Sequence, residues 1–143
     1  MEVSDVRRRL QQELERGRVA HAERRARNDA AARSYADFLS RTATPVFRML
    51  ITALKAEGFG CSLFTPAASL RLASDRSGDD YIELVLDSEG DLPRPKLHIS
   101  RTRGRQTLES ERMIGEPGRA IGELTDEDVL EALLAEISAL VVR

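Results

Sequence analysis

Cysteine, histidine, tryptophan and long apolar runs are scarce in this sequence, and each shortage excludes a class of protein. The 143 residues include one cysteine, two histidines and no tryptophan. A disulfide framework needs paired cysteines, and a structural zinc site needs about four Cys or His ligands, so neither is expected. No apolar run approaches the roughly 18 residues of a membrane span, and the first residues lack the apolar segment of a signal peptide. We therefore expect a cytoplasmic protein with no membrane partner, no metal and no cofactor.

Lysine is also nearly absent, because 20 of the 22 basic residues are arginine. Arginine suits phosphate recognition, but a GC-rich coding bias produces the same excess, so composition alone does not identify a nucleic-acid binder. The net charge of −2 argues against a uniformly basic chain. The charge is unevenly placed: residues 1–41 hold ten arginines and seven acids, whereas residues 42–143 hold twelve bases and seventeen acids.

Residues 4–41 contain no proline and a single glycine, Gly17, which favours one long helix. Four apolar residues at spacings of 3, 4 and 4 resemble a coiled-coil seam: Val3, Val6, Leu10 and Leu14. We call these four residues the stripe. Beyond Gly17 the apolar positions continue out of phase with it. A helix with so thin a stripe is not stable alone, so it needs a partner chain or the protein's own body.

The pattern in residues 42–143 predicts a compact body. Thr44 and Pro45 suit a helix start, which places a helix boundary near 41–44, and Gly58 suits the helix end. Between them runs a core-facing series: Val46, Met49, Leu50, Ala53 and Leu54. The last helix is marked by a Thr125 cap with Asp128 three residues on. Its apolar series is Val129, Leu130, Leu133, Leu134, Ile137, Leu140 and Val141.

Alternation of apolar and polar residues predicts four strands, at about 61–73 (interrupted at Pro66), 80–87, 95–102 and 105–114. A two-residue turn between the last two strands places Ile99 opposite Leu108 on an apolar face. On the other face it brings opposite charges together, Lys96 with Glu111 and His98 with Glu109. The expected fold class is α+β: a long N-terminal helix, a second helix, a four-stranded antiparallel meander and a C-terminal amphipathic helix. We expect a two-layer sandwich in residues 42–143 and a helical extension in residues 1–41.

Catalytic constellations are not apparent. No histidine is expected close enough to Cys61 to act as its base, so we interpret Cys61 as a buried strand residue. The acidic residues between positions 75 and 91 fall in turns, where an Asp side chain forms hydrogen bonds to nearby backbone groups. The glycine-rich segment 115–122 lacks the lysine of a phosphate loop and precedes three acidic residues. We therefore expect no catalytic residue and no enzyme.

Two functional hypotheses remain. The first is a non-enzymatic protein–protein interaction or assembly module, self-associating to a homo-oligomer or docking to a larger partner through the stripe. The second is a nucleic-acid-associated protein that uses the arginine-rich segment 94–112 and the basic first helix. That segment carries a net charge of +4, with three candidate contacts around its turn: Arg101, Arg103 and Arg105.

Overall fold

The computed structural model describes residues 1–90 and 92–142, which form an α+β fold as expected. The helical elements are α1 (Val3–Phe38), a π-helical turn (Leu39–Ala43), α2 (Thr44–Ala56), a 3₁₀ turn (Ile121–Glu123) and α3 (Asp126–Val141). The strands are β1 (Cys61–Phe64), β2 (Leu70–Ser74), β3 (Ser77–Asp87), β4 (Arg94–Arg103) and β5 (Gln106–Met113). In these described ranges, no helix combines the length and apolar character needed to cross a bilayer.

Residues 3–56 form one nearly continuous helix, and the predicted helix boundary at 41–44 is wrong. Thr44 has helical dihedral angles (φ −58°, ψ −47°), and its hydroxyl donates a hydrogen bond to the Leu39 carbonyl (2.7 Å) instead of capping α2. The turn just before Pro45 is π-helical. A proline ring crowds the carbonyl four residues earlier and offers no N–H. A widened π turn is a known adjustment at such points, and the helix continues past the proline.

The sheet has five antiparallel strands in the order β1-β2-β3-β4-β5, rather than the four predicted. The segment predicted as one interrupted strand forms both β1 and β2, which pair with each other from Cys61 opposite Ser74 to Phe64 opposite Arg71. Pro66 lies in the loop between them, where its missing N–H disturbs no ladder. The interruption seen in the sequence is therefore a chain reversal.

The predicted hairpin of β4 and β5 forms, with its register two residues away from the predicted one. Its turn is Gly104-Arg105, one residue later than expected, with Gly104 in the left-handed region at φ +63°. Ile99 consequently pairs with Ser110 rather than with Leu108. Because side chains alternate along a strand, a shift of two residues leaves every side chain on its predicted face.

The core lies between one face of the sheet and the helices. The inward residues of β2, β3 and β4 are buried as the alternation predicted: Leu70, Leu72, Ile82, Leu84, Leu97 and Ile99. The helices supply buried side chains to the same cluster, among them Phe47 of α2 and Leu133 of α3. The last turns of α1 also belong to it, since Tyr35 and Phe38 are only 3% and 4% exposed.

The start of α3 has the predicted capping box. The Thr125 hydroxyl accepts a hydrogen bond from the Asp128 backbone N–H, and the Asp128 carboxylate accepts one from the Thr125 N–H (2.8 Å). The Arg119 guanidinium donates to the same carboxylate (3.0 Å). These hydrogen bonds, from Thr125 first and then from Arg119, hold the pKa of Asp128 below its ordinary value.

Candidate functional site

Helix α1 extends away from the body along most of its length. Every residue from Val6 to Ala30 is exposed, and contact with the core begins at Ala31, which is partly buried. The stretch from residue 3 to residue 30 is roughly 42 Å long at 1.5 Å per residue. The stripe predicted as the association site lies at its far end.

The stripe is accessible on the surface of α1. Val6, Leu10 and Leu14 are each about half exposed, at 48%, 55% and 50%. The nearby charges pair along the helix at a spacing of three, Asp5 with Arg8 at 3.1 Å and Glu13 with Arg16 at 2.8 Å. Exposed pairs of this kind stabilise a helix by only about 0.2–0.5 kcal/mol each. The stripe is therefore an apolar surface on a weakly stabilised helix.

The three arginines predicted as nucleic-acid contacts do not all share one site. Arg101 and Arg103 line a cleft of about 420 Å³ beside the end of α3, together with Arg76, whereas Arg105 lies in the hairpin turn outside it. The Arg76 guanidinium donates to the Val141 carbonyl (3.0 Å) and so stabilises the α3 terminus. Among residues 1–90 and 92–142, no ion pair includes Arg101, Arg103 or Arg105.

The outer face of the sheet carries the predicted contacts between opposite charges. The Lys96 ammonium lies 2.9 Å from the Glu111 carboxylate, and His98 lies 3.7 Å from Glu109. In the observed register these are diagonal neighbours rather than directly opposite pairs. The hydrogen bond to Glu111 raises the pKa of Lys96. The acids of β5 thus offset part of the basic charge of β4.

The other residues considered as catalytic or phosphate-binding groups are engaged in the fold itself. Cys61 is buried at the start of β1, and burial raises the pKa of its thiol, with a further upward contribution from Asp75. Arg119, in the glycine-rich segment, binds the first turn of α3 through Asp128, so the protein's own charges occupy that helix end. In the described part of the chain, no three Asp, Glu, His or Cys side chains are grouped to hold a metal ion.

An apolar groove between α2 and α3 was not predicted. The sequence pattern places Met49, Ala53 and Leu134 in the core-facing series of their helices, but all three are exposed, Met49 by 62% and Leu134 by 51%. With Leu130 they form the walls of a groove of about 360 Å³ over the buried Leu50. The available signal was the width of the two apolar series, which exceeds what one core-facing side of a helix needs.

Comparison with known proteins does not assign this arrangement to a family. The chain matches no family model, no curated protein and no solved structure.

Proposed function

We propose that the protein is a non-enzymatic assembly module in which a two-layer α+β body carries a long helix for self-association. The observation that carries the proposal is the exposure of α1 from Val6 to Ala30. Isolated helices are marginally stable in water, and most helices in proteins are stabilised by packing of an apolar face. A partner that covers the stripe would supply that packing.

A second copy of the chain is the partner we propose. The extension, residues 1–41, has three more bases than acids, and residues 42–143 have five more acids than bases. The extension of one copy is therefore attracted to the body of another. Two bodies carry charge of the same sign, so repulsion opposes direct contact between the body of one copy and the body of another.

Light scattering tests this proposal. The full chain is expected to have a mass above 15.9 kDa, and the double variant Leu10→Asp, Leu14→Asp to have the mass of a single chain. The substitutions place two carboxylates in an apolar contact, where an unpaired charge costs several kcal/mol. A matched control, Val19→Asp with Ala26→Asp, adds the same charge on α1 outside the stripe and should retain the parent mass. A monomeric parent, or a double variant with unchanged mass, contradicts self-association through the stripe.

A nucleic-acid role is the alternative, and the convergence of Arg101 and Arg103 with Arg76 on one cleft favours it. Against it, Asp80 also lines that cleft and the terminus of α3 lies beside it. The carboxylate and the partial negative charge of the helix end both weaken phosphate binding. We therefore rank this function below assembly.

Salt-dependent binding separates the alternative from the main proposal. We expect the parent protein to show no micromolar binding to DNA or RNA near physiological salt. If it does bind, replacing Arg101, Arg103 and Arg105 by Gln should weaken binding to every sequence and reduce the salt slope, by roughly one counterion for each lost phosphate contact. Replacing Arg48 and Lys55 by Gln, which are exposed on α2 outside both basic segments, is the control. Steep binding that is lost only in the first variant would place the nucleic-acid function first.

A further inference from the structure

We infer that the stripe of one copy binds the groove between α2 and α3 of another copy, in a head-to-tail contact. This inference rests on the proposed function and names the surface that receives α1. The groove has an apolar floor and apolar walls, with Met49 and Leu134 extending from opposite sides. Both surfaces are apolar and exposed, and they belong to the same polypeptide.

The two surfaces are similar in length. The stripe runs from Val3 to Leu14, or roughly 16 Å of helix. The α3 side of the groove runs from Asp126 to Leu134, roughly 12 Å. A stripe this short buries little surface against a single second helix. A groove between two helices covers it from both sides, which is the arrangement of helix-in-groove recognition.

Basic residues lie along one side of the stripe. Arg7 lies three residues before Leu10 and Glu13 three residues after it, so at 3.6 residues per turn they fall on opposite sides. Arg18 lies eleven residues after Arg7, which is close to three full turns and therefore the same side. The side that holds Arg7 and Arg18 is therefore basic, whereas Glu13 on the other side is paired with Arg16 (2.8 Å) and has Arg9 one turn before it.

The α3 side of the groove is acidic. On α3, Glu127 lines the groove and Glu131 follows one turn later on the exposed surface. Asp126 lines the groove as well. A helix whose basic side faces α3 therefore brings opposite charges together. The side of the stripe that holds Arg7 and Arg18 supplies that basic surface.

The stripe cannot bind the groove of its own chain. Leu14 lies 21 residues before Tyr35, where α1 is already part of the core, and the helix between them is continuous. That distance is roughly 32 Å of straight helix leading away from the body. The groove is therefore filled from another copy. Because stripe and groove are different surfaces, the contact is heterologous.

Mixing two variants tests the contact. Leu134→Glu should weaken self-association by more than about tenfold, because it places a charge in an apolar contact. Ala135→Glu, one residue further on the exposed surface of α3, is the matched control and should associate like the parent. Alone, Leu134→Glu and the double stripe variant Leu10→Asp, Leu14→Asp should each be monomeric. Mixed in equal amounts they should form a two-chain complex, because one retains an intact stripe and the other an intact groove.

The outcomes distinguish this inference from the function on which it rests. If Leu134→Glu associates as tightly as the parent while the double stripe variant is monomeric, the stripe binds a surface other than the groove, and the groove is overturned but self-association is not. If both variants are monomeric and mixing restores no complex, the groove is likewise overturned. A monomeric parent overturns the proposed function. Should Leu134→Glu lose its far-UV signal, Met49→Glu on the opposite wall, which is 62% exposed, replaces it in the same mixture.

Discussion

A chain that begins at residue 31 is expected to unfold at nearly the same temperature as the full-length chain in its monomeric form, whereas one that begins at Arg41 should lose most of its stability. The first truncation removes almost exclusively exposed side chains. The second also removes Tyr35 and Phe38, which are buried, and the hydrogen bond from the Tyr35 hydroxyl to the Leu84 carbonyl (3.1 Å). Loss of one buried aromatic side chain costs about 3–5 kcal/mol. Losing two approaches the whole stability of an ordinary domain, about 5–15 kcal/mol.

Thermal unfolding followed by circular dichroism measures this difference. Self-association raises the apparent melting temperature, so the reference is the full-length variant Leu10→Asp, Leu14→Asp. A full-length variant with Tyr35→Ala and Phe38→Ala separates loss of the two rings from loss of the helix itself. Equal, cooperative transitions for both truncated chains would show that the two aromatic side chains contribute little to the core.

This result bears on the predicted division at residues 41 and 42. That division places Tyr35 and Phe38 in the extension, although both pack in the same cluster as Phe47 and Leu84. The spacing of the two aromatics was visible in the sequence, but a helix that already carries a stripe gives no sign of where it meets the body. We therefore propose that the independent body begins near residue 31.

The elements that sequence reasoning placed well are those set by local chemistry. Thr125 and Asp128 define the start of α3 because a capping box involves only four consecutive residues. The inner face of the sheet follows from alternation, since Ile82 and Leu84 must share a face whichever strand pairs with β3. Neither prediction needs knowledge of distant residues.

The errors arise where two arrangements satisfy the same local pattern. A register shift of two residues preserves both faces of the hairpin, so alternation could not decide between Gly104-Arg105 and the turn one residue earlier. Pro45 fits the first turn of a new helix and also the second position after a π turn. The sequence near Thr44 is compatible with both arrangements. The packing of α1 and α2 against the rest of the protein determines which one forms.

The two parts of the candidate site, the stripe and the groove, differ in the same respect. The stripe was predictable because its four apolar residues recur at helical spacing on an otherwise charged, proline-free segment, a pattern typical of an association seam. The groove was not, because Met49 and Leu134 belong to apolar series whose other members are mostly buried. Only the relative position of α2 and α3 shows that these two side chains face outward. Surfaces formed between helices depend on packing, which periodicity within one helix does not record.

Two nearby positions on α2 allow the packing of this helix to be tested through the free energy of unfolding. Phe47→Ala should reduce the free energy of unfolding by about 3–5 kcal/mol, because Phe47 is 0% exposed and its removal leaves a cavity against the sheet. Met49→Ala, two residues on, should change it by less than about 0.5 kcal/mol, because Met49 is 62% exposed. Urea unfolding in the monomeric background Leu10→Asp, Leu14→Asp measures both changes without a contribution from assembly.

The same pair of substitutions relates stability to assembly. In the parent chain, Met49→Ala should weaken self-association while leaving the unfolding of the monomer nearly unchanged, since its exposed side chain is proposed to contact the stripe of the neighbouring copy. Phe47→Ala should lower the stability of every copy, assembled or not. Comparable losses of monomer stability for both substitutions would mean that Met49 is covered by its own chain. The groove would then be closed, and the stripe would need another acceptor.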